Sequence, residues 1–421
     1  MNWWKDNRTM KQFFVFTLVG DCLILCGASL SPVEADMPMK VITQPNVKTD
    51  RLGGIDVPTA TVLKKMHEGQ YILHADAGKL TEVPVEKVLL LHDAEANPQS
   101  IQLVKAPDGT VYANLASIIC KSTDGGRKWT SHKLGTGGSG FFEVLGDGRF
   151  VLIGSEGEHS RTHVVIKRSQ DAGHTWRKLA DILNPPNHWG GVSWIKRLKD
   201  GTLLAGINHA NHAFENVDGR LKYKSGSGGV WSYRSKDQGR TWTRLAFIHD
   251  WTSEGGVSVT PSGRLAAALR YQRPMIEGDP PDLEKQNRSI SPGWPWKNVF
   301  LVDSHDMGRT WKNFRQLTTV FGQTRGYPVA LSDGTVVVIH DTRYGPGSPG
   351  SRAMISRDEG KTWQDEVYYL AFTTFTGSYN SSVLLDDDLI LTITGSSQAG
   401  NSWQAVKDHT DFFAIRWKPK K

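Results

Sequence analysis

The residues with chemistry to offer gather in the second half of this 421-residue chain. Glu254 stands in Ser253-Glu254-Gly255-Gly256, directly before an apolar run from Val257 to Leu269 that ends at Arg270. Arg352 precedes the short run entering Ser356, and Tyr379 lies in Gly377-Ser378-Tyr379-Asn380-Ser381-Ser382. A carboxylate beside a phenol can take up its proton, and guanidinium groups grip a carboxylate through paired, charge-assisted hydrogen bonds. Each residue also has a plain reading: Glu254 as a turn cap, Tyr379 as a packed strand residue, the arginines as surface groups. His209 and His212, with Glu215, fall in a long insertion and read as loop residues or sugar neighbours rather than metal ligands. No Cys/His spacing marks a zinc site, and neither a metal nor a cofactor is expected. Trp189, Trp194, Trp294 and Trp296 offer flat faces, for sugar rings or for packing.

What must position these residues is a repeat. Ser-x-Asp-x-Gly-x-Thr-Trp occurs at Ser122–Trp129, Ser169–Trp176, Ser235–Trp242, Ser304–Trp311 and Ser356–Trp363, departing only at Lys128 in the first copy. An Asp side chain accepts hydrogen bonds from the backbone N–H groups just after it, and Gly supplies a positive φ, so the motif reads as a turn between strands. The Trp opens the next strand with a large apolar face.

Between these turns lie hairpin patterns, alternating apolar residues about an Asp-Gly or equivalent turn. They run from Ser100 to Asn114, Gly140 to Gly154, Val192 to Ile207, Val257 to Leu269, Tyr327 to His340 and Ser381 to Thr394. Six hairpins, each followed by a further strand, predict an all-β, six-bladed β-propeller of four-stranded blades over residues 91–421. Insertions between hairpin and Ser-x-Asp turn are shortest in the first unit. They are longest in the third, with His209 and His212, and in the fourth, with Tyr271, Arg273 and Pro280-Pro281. Long loops on one rim of a rigid scaffold commonly carry a site.

Residues 1–35 read as an export signal: Lys5, Arg8 and Lys11 precede an apolar run from Phe13 to Leu30, which Asp21 interrupts. An exported (periplasmic or extracellular) protein without a stable membrane span is expected, with Leu25 arguing against lipidation of Cys26. Beyond the leader only Cys120 remains, in an apolar run, where it reads as a buried thiol. Residues 36–90 form a lead-in that either closes the ring or packs against it. The formal charge of +7 is not concentrated in any Lys/Arg block, which favours an acidic glycan over nucleic acid as partner. A monomer is expected.

The five turns resemble the Asp-box, or BNR repeat, of the sialidase (neuraminidase) superfamily, whose members are six-bladed propellers. The resemblance covers the repeat region and implies an exo-sialidase-like glycosidase with Tyr379 as nucleophile, Glu254 as its base, and Arg270 with Arg352 as a carboxylate clamp. A neutral phenol suits a substrate whose own carboxylate would repel a carboxylate nucleophile, and sialidases are the tyrosine exception among retaining glycosidases. The sequence departs from the family in the first unit. Ala96-Asn97-Pro98-Gln99-Ser100-Ile101 lacks the expected arginine, and Ala116 to Lys121 leaves no room for the acid/base aspartate. Asp93 or Glu95 is then the candidate acid, and Glu156, Glu158 and Arg161 of the second unit a partial replacement. Three functions fit: a hydrolase of terminal sialic acid or another acidic sugar, a non-catalytic glycan-binding propeller, and a polysaccharide lyase using Tyr and His on a uronate.

Overall fold

The computed structural model describes residues 51–94, 101–115, 117–135, 140–157, 162–217, 220–279, 296–319, 322–342, 347–373, 379–396 and 410–421. Six antiparallel sheets follow one another along the chain. Blade 1 spans Ile101–Lys133, blade 2 Gly140–Ile182, and blade 3 Trp189–Asp250. Blade 4 spans Thr252–Gln316, blade 5 Gln323–Tyr369 and blade 6 Asn380–Trp417. The first strand of each blade packs against the first strand of the next, and that of blade 6 returns to blade 1. That cyclic contact makes the sheets a ring with their first strands innermost, the β-propeller expected from the repeat.

All six hairpins form where the alternation places them. In blade 1, Ile101 pairs with Leu115 and Lys105 with Val111. The turn is closed by Gly109 N–H donating to the Ala106 carbonyl at 3.0 Å. In blade 6 the turn is Asp386-Asp387-Asp388, where Asp387 and Asp388 take φ of 56° and 55° in place of a glycine. Asp tolerates this left-handed conformation better than most residues.

Two features come from the lead-in. A helix, Ala60–Glu68, is capped by Thr59 and ends at Gly69; it buries Leu63 and Met66 against the core of blade 5. The chain then forms a hairpin, Tyr71–Asp76 with Lys79–Pro84, which adds two strands to blade 5, so that this blade has six strands rather than four. The reason is the short fourth strand Glu366–Tyr369: its residues are wholly buried, and Leu73 to Asp76 supply its missing partners. Next, Glu86–Ala94 pairs with the last strand of the chain, Thr410–Trp417, and completes blade 6. The ring is thus closed by a strand from near the start of the fold.

The core is divided among the blades, with apolar clusters between successive sheets rather than one common interior. Cys120 belongs to one of them, and burial pushes its thiol up to about 12, so it is inert as a nucleophile. Among the described residues no helix is long and apolar enough to cross a membrane. The leader, Glu95, Glu158, Arg161 and Trp294 lie outside the described residues.

Candidate active site

Strand direction sorts the molecule into two faces. First strands begin, and second strands end, on one face; hairpin turns and Ser-x-Asp turns fall on the other. Glu254, Arg270, Arg352 and Tyr379 each stand near a strand end on the first face or just beyond one.

Three inner strands are irregular near that end. Pairing shifts between Val192 and Trp194 in blade 3, between Thr252 and Gly255 in blade 4, and between Thr324 and Tyr327 in blade 5. Such bulges re-aim a side chain where regular alternation would send it elsewhere. Here they carry Glu254 and Arg325, and Arg325 has φ of 42°, a strained conformation for a residue with a Cβ. The glycines that follow are required by close approach. A Cβ on Gly255 would lie 2.1 Å from the Ala268 carbonyl oxygen, and one on Gly326 2.7 Å from the Ala268 methyl.

The inner strands surround a cavity of about 170 Å³, lined by Gln102, Phe141, Val192, Glu254, Arg325 and Tyr379 among others. Every blade contributes to it. The Tyr379 hydroxyl donates to Glu254 Oε2. Arg270 Nη1 lies 2.9 Å from the same oxygen, and its Nε donates to Ser253 Oγ at 3.1 Å. The Arg325 guanidinium lies over the Tyr379 ring, 4.0 Å from its centroid, and 5.3 Å from the centroid of Phe141. Tyr379 and Arg325 are buried, at 4% and 1% exposure, whereas the Glu254 side chain keeps 31%. Burial lowers the basicity of Arg325, opposed by Tyr379 and Glu254 first. Arg270 and Arg325 bring positive charge to the site, set against Glu254 and, beside Arg325, Asp341.

The sequence-predicted residues divide as follows. Tyr379, Glu254 and Arg270 meet at one oxygen atom. Arg352 does not join them: it is buried on the third strand of blade 5, with Nη2 donating to the Ser348 carbonyl at 3.1 Å and its guanidinium 5.3 Å from the Tyr369 ring centroid. Asp93 sits exposed at the end of the ring-closing strand, the outermost of blade 6, where its N–H is held by Asp411. It is not among the described residues lining the cavity. His209 turns inward and shares a 2.8 Å hydrogen bond with the Tyr233 hydroxyl. His212 stacks on Trp251 at 5.2 Å. Burial lowers both histidines to about 4, so both are neutral at pH 7. Among the described residues one trio could gather about a metal, His74, Asp76 and Glu366. It lies on the outer strands of blade 5, far from this cavity in the fold, with Arg357 already paired to Glu366.

Arg325 is the residue that sequence reasoning missed, although a signal for it exists. The hairpin turns align on Gly263, Gly334 and Asp388: in each the N–H three residues before donates to the carbonyl of the residue after, at 2.8 Å. Glu254, Arg325 and Tyr379 each stand nine residues before that turn residue. The site is therefore one repeat position, read out in three successive blades.

No family model and no curated protein matches the sequence. Solved structures do match in fold. An α-L-arabinofuranosidase, Arb93A from Fusarium graminearum, is 16% identical, with a TM-score of 0.55 over 79% of this chain and 96% of its own. A protein of unknown function from Dyadobacter fermentans is 16% identical, with a TM-score of 0.52 over 80% and 98%. A Hadza microbial sialidase, Hz136, is 18% identical, with a TM-score of 0.50 over 75% of this chain and 65% of its own. The chain is a sialidase-like β-propeller, on an architecture that several glycosidases share.

Proposed function

We propose that the protein is an exported retaining glycoside hydrolase that removes a terminal acidic sugar, sialic acid or a relative, with Tyr379 as nucleophile. The observation that carries this reading is the hydrogen bond from the Tyr379 hydroxyl to Glu254 inside the axial cavity. The phenol oxygen attacks the anomeric carbon as the bond to the leaving group breaks; the phenol proton passes to Glu254, and the departing oxygen takes a proton from solvent. In the second step a water oxygen attacks the anomeric carbon as the bond to Tyr379 breaks, Glu254 returns its proton to the phenol oxygen, and the proton of the attacking water passes to solvent; two inversions give retention. The guanidinium of Arg270, at the edge of the site beside Glu254, receives the substrate's carboxylate. A cavity of about 170 Å³ is small for a ligand site, which suits the end of a glycan rather than its middle.

The greater exposure of Glu254 favours one second reading, a neutral glycoside attacked by Glu254 itself. A panel of fluorogenic sialosides, uronides and arabinofuranosides, run with Tyr379→Phe and Glu254→Gln, separates the two. The first reading expects turnover of an acidic glycoside that both variants abolish. Turnover of a neutral glycoside that survives Tyr379→Phe but not Glu254→Gln supports the second, and activity surviving both changes removes this site.

A further inference from the structure

We propose that Arg325 is a positioning residue for the nucleophile: its guanidinium, stacked on the Tyr379 ring, stabilises the tyrosinate that forms during attack. The proposal rests on Tyr379 being the nucleophile. It adds a role for a cation that touches the ring rather than the sugar.

The guanidinium is fixed from both sides. It is held between the rings of Phe141 from blade 2 and Tyr379 from blade 6, at 5.3 and 4.0 Å, so it reaches across the axis of the ring. Its backbone is fixed by a bulge with positive φ, and Gly326 behind it has no room for a side chain. A buried cation over an aromatic face is attracted by the ring's quadrupole, and more strongly once the ring bears negative charge.

Among the described residues, the other charged or titratable groups named around the pair come from two blades. From blade 4 come Glu254, which accepts the phenol proton, and Arg270, which neutralises Glu254. From blade 5 come Tyr327 and Asp341, both of which act on Arg325. Asp341 is held by Thr324 Oγ1 at 2.8 Å. Glu254 alone would oppose a negative phenolate, and burial would oppose it further: Tyr233 and Tyr368, buried elsewhere, are pushed up to about 12. A stacked cation offsets both effects without blocking the path of the proton.

The test is an ultraviolet titration of the full-length protein. The difference between the protein and its Tyr379→Phe variant isolates this phenol among the ten tyrosines. The same difference is then taken in Arg325→Met and Arg325→Lys backgrounds. Tyr379 is expected to titrate roughly one to three pH units higher in Arg325→Met, the range for loss of a neighbouring opposite charge, and Arg325→Lys should recover most of that shift. The pH profile of turnover should move with it. An unchanged midpoint in Arg325→Met, or Arg325→Lys as high as Arg325→Met, overturns the proposal. If Arg325→Met does not fold, the unsubstituted protein decides: Tyr379 must titrate below the other buried tyrosines. Because the titration needs no substrate, it stands apart from the nucleophile reading, which fails if Tyr379→Phe keeps its turnover.

Discussion

The two faces of the ring use repetition in opposite ways. On the far face the five Ser-x-Asp turns share one hydrogen-bond pattern at their Ser and Gly. In each, the Ser hydroxyl donates to the Asp at 2.7–2.9 Å and receives the Gly N–H at 2.8–2.9 Å. Each turn also presses its glycine on the preceding blade: Gly173 on Ile119, Gly239 on Val151, Gly126 on Leu391. The Ser232 hydroxyl donates to the Gly308 carbonyl, and Arg315 to that of Gly360, in the same sense. These turns are inter-blade joints, and identical joints need identical residues. On the site face a single repeat position holds Val192, Glu254, Arg325 and Tyr379 in turn. The contrast teaches that the scaffold is kept by sameness and the chemistry by difference at one position.

Exchange at the variable position should show the largest effect. Tyr379→Phe is expected to lose on the order of 10⁴-fold in turnover with its unfolding midpoint kept, measured by initial rates beside circular dichroism. Glu254→Gln should lose roughly 10²–10⁴-fold, the usual range for a general base, and flatten the acid limb of the rate profile. Equal losses of stability and rate in either variant would erase the division between the faces.

The joints should behave the other way. Asp358→Ala removes the acceptor for the N–H groups of Lys361 and Thr362 and for two hydroxyls. It should cost about 1–3 kcal/mol of stability in denaturant unfolding while kcat stays within about twofold. A matching loss of kcat would tie the far face to catalysis.

Acid pH tests the burial of the histidines. Burial lowers His67 and His209 to about 4 and His340 to about 3. Protons therefore bind the unfolded chain first. Stability should fall as pH drops below about 6.5 and continue falling to about 4, by a few kcal/mol in all. Thermal melts at stepped pH measure it, and a flat midpoint between pH 6.5 and 4 contradicts the burial of these rings.

Most of the fold was legible because it is repeated: five copies of one turn and six hairpins leave little choice of architecture. The extra strands of blade 5 were not legible, since Tyr71 to Pro84 carry no repeat and pair only because a short buried edge needs covering. In the site, Glu254, Arg270 and Tyr379 could be picked out by their order along the units. Arg352 followed the same order and still stands apart, because order fixes the blade and not the direction of a side chain on its third strand. His209 stood in a long insertion and looked available, yet its partner Tyr233 lies 24 residues on, a distance at which sequence gives no sign. Arg325 stayed hidden because a lone arginine before a glycine has no local signature; only alignment of the hairpin turns on one another exposes it.

The strand Glu86–Ala94 waits for Thr410–Trp417, so on the ribosome it emerges some three hundred residues ahead of its mate. Until the final segment is released, the sheet edge it will cover stays open, and Leu89 and Leu91 lack their pairing partners Phe413 and Phe412. Assembly of the last blade is therefore necessarily late, and a chain cut short before Thr410 would keep an open edge inviting pairing with other molecules. Fusions or tags that encumber the final strand should accordingly harm yield more than equal burdens on any surface turn.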